Sequence, residues 1–250
     1  MKSENVMATI LQTQCARLVR NLARLPSRTV RTLQRRLDPV YQLERQADRE
    51  IPRRFGRERM QLLEAIPGTS SARECRLLAY LAMQSPPGGA LVEIGAFKGK
   101  STVWLVEAAE HHVSPPPVVS IDPHLGANWH PDPTWVDFSN TVTRFRLDDR
   151  GLQVRRARSH EVGAFWDRPI AFLWIDGSHA YDDVVTDIED FTPYILPDGW
   201  VVFDDAASSK WPDVWRAIEA RMLNRPGFQC IGIIRNVALF RREPSKDHRS

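Results

Sequence analysis

Leu91-Val92-Glu93-Ile94-Gly95-Ala96-Phe97-Lys98-Gly99-Lys100-Ser101-Thr102 sets an acid within an apolar run, follows it with two glycines, and then opens a helix. The fold reading turns on this stretch. A strand that runs through a glycine turn into a helix lets backbone approach a ligand closely and aims unpaired helix N–H groups at it. A dinucleotide site needs its second glycine where Phe97 stands, and that side chain fills the space a pyrophosphate takes. A phosphate-binding P-loop needs four residues between its first glycine and Gly-Lys-Ser. Only Ala96, Phe97 and Lys98 intervene here, too few to wrap the same amides around a phosphate.

Outward from this turn, short apolar runs alternate with amphipathic stretches, the pattern of β-α-β units around a sheet buried on both faces. Strands are expected at about 90–95, 117–122, 152–156, 170–176, 199–204, 228–234 and 236–241, with helices between them. The last two runs are joined by Arg235-Asn236, too short for a parallel crossover, so they form a hairpin. Upstream, Ser71 is placed to cap a helix that ends near Gln84, before Pro86-Pro87-Gly88-Gly89. Pro67-Gly68-Thr69-Ser70-Ser71 reads as a linker. It sets a basic helical extension (1–66) apart from the α/β domain (67–242), and residues 243–250 read as a flexible tail.

The spacing E-x-G-x-x-x-G-x-S, together with a sheet whose last strand must be antiparallel, resembles class I S-adenosylmethionine-dependent methyltransferases. More specifically it resembles the small-molecule O-methyltransferases of methyltransferase family 24, of catechol and macrolide-sugar type. That resemblance implies a Rossmann-like seven-stranded sheet with an antiparallel last strand, helices on both faces, and S-adenosylmethionine as cofactor. It also implies that Glu93 takes the methionyl ammonium, that Gly95 and Gly99 form the turn admitting the nucleoside, and that Ser101 bonds the carboxylate. Asp122 ends the next strand, where nucleotide-binding sheets set an acid on a ribose diol. Arg158-Ser159-His160-Glu161 resembles the family segment that flanks adenine, although Ser159 equally suits a helix cap.

Two further runs, Phe172-Leu173-Trp174-Ile175-Asp176-Gly177-Ser178-His179-Ala180-Tyr181 and Gly199-Trp200-Val201-Val202-Phe203-Asp204-Asp205, both end in carboxylates. On neighbouring strands these acids lie roughly 5 Å apart, which is unfavourable unless a proton or a cation sits between them. The I-D-G-S-H-x-Y segment resembles sugar O-methyltransferases and cephalosporin-hydroxylase-type proteins. In the metal-dependent members, the acids matching Asp176, Asp204 and Asp205 hold a divalent ion. The residue types suit Mg²⁺ and lack the histidine-rich face that iron takes. His179 falls where catechol-type enzymes keep a lysine base, so His179, with Asp176, is the expected catalytic group. As simple structural residues, Asp204 or Asp205 would cap the helix around Trp211 to Leu223, and His179 would be an ion-paired surface group. Pro123 to Pro131 and Ala206 to Trp215 follow strand ends and are the expected acceptor loops; Trp129, Trp135 and Trp211 serve there as platforms or as anchors.

Composition narrows the function classes. The 250 residues carry a net charge of +3, but residues 1–60 hold 14 Lys and Arg against 6 Asp and Glu. Arg17, Arg20, Arg24, Arg28, Arg31 and Arg35 recur at helical spacing, and Pro26 should interrupt that helix. Such an arm suits a solvated face packed on the domain or on a second subunit, a peripheral membrane contact through residues 1–37, or an organelle leader. Few aromatics accompany it, which weighs against nucleic acid and against a methyltransferase-fold binding module docked on RNA. Cys15, Cys75 and Cys230 lack paired spacing, which argues against a disulfide framework and a structural zinc site. A cytoplasmic homo-oligomer acting on a small-molecule hydroxyl acceptor is the expectation.

Overall fold

A computed structural model of the chain describes residues 38–126 and 130–244. The Arg-rich face, its break at Pro26, the membrane contact, Trp129, and the tail from residue 245 lie outside the described residues. The chain divides into two units, Met1–Gln42 and Leu43–Ser250. Helix α1, Pro39–Phe55, gives way at Gly56, whose φ is 78°, to α2, Arg57–Glu64.

The larger unit thus takes in residues 43–66, which the linker-like Pro67 to Ser71 would have split off. Packing and ion pairs explain this. Ile51, Leu63 and Ile66 are buried. Arg76 holds Asp48 at 2.8 Å and Glu64 at 2.6 Å, and Arg59 pairs with Glu107. The Pro-Gly segment is a turn between helices. After it, α3, Ala72–Met83, starts with the reciprocal bonds of a capping box between Ser71 and Glu74, as the sequence suggests.

The sheet comprises β1 (Ala90–Ile94), β2 (Val118–Ile121), β3 (Leu152–Arg155), β4 (Ile170–Ile175), β5 (Ile195–Phe203), β6 (Phe228–Ile234) and β7 (Val237–Arg242). Their order is β3-β2-β1-β4-β5-β7-β6. β1 to β5 are parallel, and β7 is antiparallel to both its neighbours. β5 begins at Ile195, upstream of the expected start near residue 199. The ladder slips between Ile170 and Phe172, and Pro197-Asp198-Gly199, a turn signal in sequence, is carried as an irregularity within the strand.

The connecting helices are α4 (Lys100–Ala109), α5 (Trp135–Phe145), α6 (Ser159–Gly163), α7 (Tyr181–Phe191) and α8 (Pro212–Arg221). One face of the sheet, carrying Val92, Ile94, Leu173 and Ile175, packs on Val184, Ile188 and Phe191 of α7 and on Val214, Ala217 and Ile218 of α8. On the other face lie α3 and α4. Alternate residues therefore point to opposite layers, and both layers are apolar, as a doubly covered parallel sheet requires.

What positions the site is the register at the carboxyl edge. Ile94 pairs with Ile121 and with Ile175, and Ile175 pairs with Phe203. The ladder continues one residue further. Gly95 N–H donates to Ile121 O at 2.9 Å, Asp122 N–H to Arg155 O at 3.1 Å, Asp176 N–H to Ile94 O at 2.8 Å, and Asp204 N–H to Ile175 O at 3.0 Å. A glycine and three acids from four separate segments are thereby set along one edge.

Candidate active site

A cavity of about 580 Å³ opens at this edge, within the range of small-molecule sites. Gly95 and Phe97 line it after β1, Asp122 and His124 after β2, Ser159 and His160 from α6, and Asp176, Ser178 and His179 after β4. Lys210 and Trp211, ahead of α8, complete it.

At the β1–β2 side, Asp122 is engaged by the chain. Its Oδ2 accepts from the amides of Ala96 at 2.8 Å and Phe97 at 2.9 Å, and its Oδ1 accepts from the amide of His124 at 2.6 Å. Phe97 and His124 have φ of 50° and 55°, a left-handed conformation that side chains rarely adopt, and the carboxylate holds both in place. Gly95 has φ 89°, and a Cβ there would lie 2.1 Å from the carbonyl oxygen of Asp176. Its first duty is thus to let the end of β4 close on the β1 turn.

Three of the expected cofactor residues stand behind the cavity rather than on its wall. Glu93 is fully buried; its Oε2 accepts from Thr102 Oγ1 at 2.5 Å and Ser120 Oγ at 2.8 Å. Burial pushes its pKa up to about 7 against the pull of the Ser101, Thr102 and Ser120 hydroxyls. Its Oε1 has no partner of bonding geometry among the described residues. Ser101 is therefore turned to Glu93. Gly99, with φ 86°, starts α4 against Phe138 and Thr141 of α5.

At the β4–β5 side the carboxylates face one another. Asp176 is raised well above the ordinary carboxyl range by burial, then by the charges of Asp204 and Asp205, and it shares a hydrogen bond with Asp204. Asp204 is pushed up to about 6, again chiefly by burial. Asp205, at φ 52°, turns toward His179, whose Nε2 lies 3.0 Å from its Oδ2. The His179 ring stacks on Trp211 at 4.4 Å. Asp176, Asp204 and Asp205 stand near enough for their charges to act on one another. Among the described residues, however, no three His, Cys, Asp or Glu side chains are spaced to hold an ion as they stand.

The strand order, the turn and the cavity are those of one large fold group. Residues 92–206 match a family model described as a methyltransferase domain. Over this segment the chain is similar to methyltransferase domains. An uncharacterized protein of Acanthamoeba polyphaga mimivirus is 28% identical over 133 residues, 51% of this chain and 56% of its own. The chain thus spans about half the length of that curated relative. The solved structure of the O-methyltransferase NovP superposes with a TM-score of 0.61 at 16% identity, covering 69% of this chain and 81% of its own. The O-methyltransferase TomG from Streptomyces achromogenes, solved in complex with S-adenosylmethionine, gives 0.54 at 16% identity, covering 82% and 90%. At such identities the shared property is the fold.

Some residues of this site carry no clear mark in the sequence. His124 is 1% exposed, its Nδ1 is 2.9 Å from Thr134 Oγ1, and it packs on Trp135 and Phe138. Trp135 is thus an anchor, whereas Trp211 lies on the cavity wall. Nothing local marks His124, because its burial comes from α5. Asp187 did leave a signal: it falls on the apolar face of α7 with Val184, Ile188 and Phe191, where an acid needs a partner.

Proposed function

We propose that this chain transfers a methyl group from S-adenosylmethionine to a hydroxyl of a small molecule, a sugar, polyketide or phenol. The observation that carries the reading is the cavity at the carboxyl edge, where a carboxylate-bonded histidine shares one wall with the glycine turn. Asp122, whose Oδ2 is taken by two amides, keeps a lone pair on Oδ1 for a ribose hydroxyl, Ser159 stands where the adenine edge would lie, and Gly95 gives the close backbone approach. Glu93, buried behind the wall with Ser101 and Thr102, would back the glycine turn rather than touch a ligand in the cavity.

The reaction is an in-line displacement. An acceptor oxygen attacks the methyl carbon, the carbon–sulfur bond breaks with its electron pair left on sulfur, and the acceptor proton must leave. With Nε2–H of His179 donating to Asp205, the ring's Nδ1 is the basic nitrogen, and it takes that proton. Asp205 fixes tautomer and orientation, and the Trp211 ring holds the imidazole plane. Asp176, Asp204 and Asp205 are an all-oxygen donor set whose mutual repulsion a divalent ion such as Mg²⁺ would relieve, and such an ion lowers the pKa of a bound hydroxyl.

Incubating the full chain with methyl-labelled S-adenosylmethionine and a panel of sugar, polyketide and phenolic hydroxyls tests the reading, with product mass and S-adenosylhomocysteine as readouts. His179→Ala should lower kcat by about 10²–10⁴-fold while leaving cofactor Kd unchanged. Activity undiminished in excess EDTA would remove the ion and keep the methyl transfer. A chain that fails to bind S-adenosylmethionine sinks the whole proposal.

A further inference from the structure

The tip of the β6–β7 hairpin, Arg235-Asn236, has no part in the methyl transfer described above, yet it stands beside the His179–Asp205 pair. Ile234 pairs with Val237, so these two residues alone make the turn. Arg235 has φ 55°, where glycine is the unstrained choice. What an arginine supplies there, and glycine cannot, is an arm: its Nε donates to Oε1 of the buried Glu44 on α1 at 2.7 Å. Asn236 engages the residues that follow β5 instead. Its carbonyl oxygen accepts from the amide of Ala206 at 2.7 Å, and its Nδ2 lies 3.5 Å from Oδ1 of Asp205. The other oxygen of that carboxylate, Oδ2, is the one that meets Nε2 of His179 at 3.0 Å.

A carboxylate can swing about its side-chain bonds, so the group that engages one oxygen helps decide where the second points. Asp205 needs such support, because its own φ of 52° is a conformation that persists only where the surroundings hold it. The bond from Ala206 to Asn236 fixes the backbone immediately after that residue, and the Asn236 amide leaves Oδ2 for the imidazole. We propose that Asn236 is a positioning residue which, anchored through Arg235 to Glu44, holds Asp205 on Nε2 of His179 and so keeps Nδ1 as the basic nitrogen. Glu44 and Arg235 are 191 positions apart in sequence. Helix α1, which does not line the cavity, thus steadies the base from outside it. This inference rests on the role given to His179 above.

The test is long-range proton–nitrogen NMR of the imidazoles in the full chain, free of ligand and metal, at about pH 8, where an ordinary imidazole is neutral. His179→Gln identifies the signals of that ring by their loss. In the wild type its two nitrogens should give the separate signals of one tautomer, protonated at Nε2. Asp205→Ala, which removes the acceptor, should draw the two signals together as the second tautomer is populated, and this sets the scale. Asn236→Asp, which puts a second carboxylate against Asp205, should move them the same way. Arg235→Gly suits the φ of the turn and removes the arm; it and Glu44→Ala should give a smaller shift in the same direction. Glu44→Ala decides the matter if the turn variants do not fold. Signals that move in Asp205→Ala but stay in place in the Asn236, Arg235 and Glu44 variants mark the turn as merely structural and overturn the inference. Wild-type signals already averaged between tautomers, or unmoved by Asp205→Ala, overturn it too. The spectra need no S-adenosylmethionine, so a chain that fails to bind it loses the methyl transfer while the coupling is still decided here.

Discussion

The two halves of the carboxyl edge solve the problem of buried negative charge in opposite ways. On the β1–β2 side each carboxyl is given partners from its own chain: Asp122 has three backbone amides, and Glu93 has hydroxyls from α4 and β2. On the β4–β5 side, Asp176 and Asp204 have chiefly each other and a shared hydrogen bond, with Asp205 drawn off to His179. The first half is finished by folding. The second carries unspent negative potential, the condition expected where chemistry rather than architecture sets the residues.

The sharpest way to break this division is at the residue that joins the halves. Gly95→Ala would drive a Cβ to 2.1 Å from the Asp176 carbonyl oxygen and force φ 89° on an alanine. Destabilisation on the order of 3 kcal/mol or more, with loss of cofactor binding, should appear in thermal unfolding and calorimetry. An unchanged Tm would mean the β1 turn and the β4 end are not locked together.

Asp122→Ala comes next, since it strips the acceptor from three amides. A loss of about 2–3 kcal/mol is expected in denaturant unfolding, because unpaired buried donors keep their desolvation penalty. A change below about 0.5 kcal/mol would show that solvent can replace the carboxylate and that this half is not prebuilt.

The smallest and most informative effect should be a gain. Asp176→Asn keeps a hydrogen bond to Asp204 but removes one charge, so the ligand-free chain should be stabilised at about pH 8 by roughly 1 kcal/mol, while turnover is lost. The sign follows from linkage. Glu93 at about 7, Asp204 at about 6 and the raised Asp176 bind protons more tightly folded than unfolded. Their contribution is therefore fullest below the ordinary carboxyl pKa and is lost as pH rises through about 6 to 7. Wild-type Tm should fall across that window, and the variant's should fall less. Parallel curves would refute the shared-proton account of Asp176 and Asp204.

Much of the fold was legible because strand positions follow from local alternation of apolar and polar residues. All seven strands lie where Leu91–Ile94, Phe172–Ile175, Val201–Phe203 and their counterparts suggest. The start of β5 was not legible, because Pro197 and Gly199 signal a turn that cross-strand pairing with β4 overrides. Nor was the place of residues 43–66, which is fixed by Leu63 burial and by Arg76, both long-range contacts.

At the site, Asp122, Asp176, Ser159 and His179 could be named from motif and spacing, and they do line one cavity. Which way each side chain turns could not. Glu93 and Ser101 face each other behind the wall because β1 side chains alternate, and Asp205 finds His179 because its backbone adopts φ 52°.

By itself, then, the sequence determined which residues form strands, that the last two make a hairpin, and that acids end three of the four segments meeting at one edge. Periodicity and chain length act within a few residues, so they can be read along the chain. Only the tertiary structure decided which carboxyls are satisfied and which confront one another. That depends on partners brought from distant elements, such as Thr102 and Ser120 for Glu93, or His179 for Asp205. A local pattern encodes where a side chain begins; the fold decides what it meets.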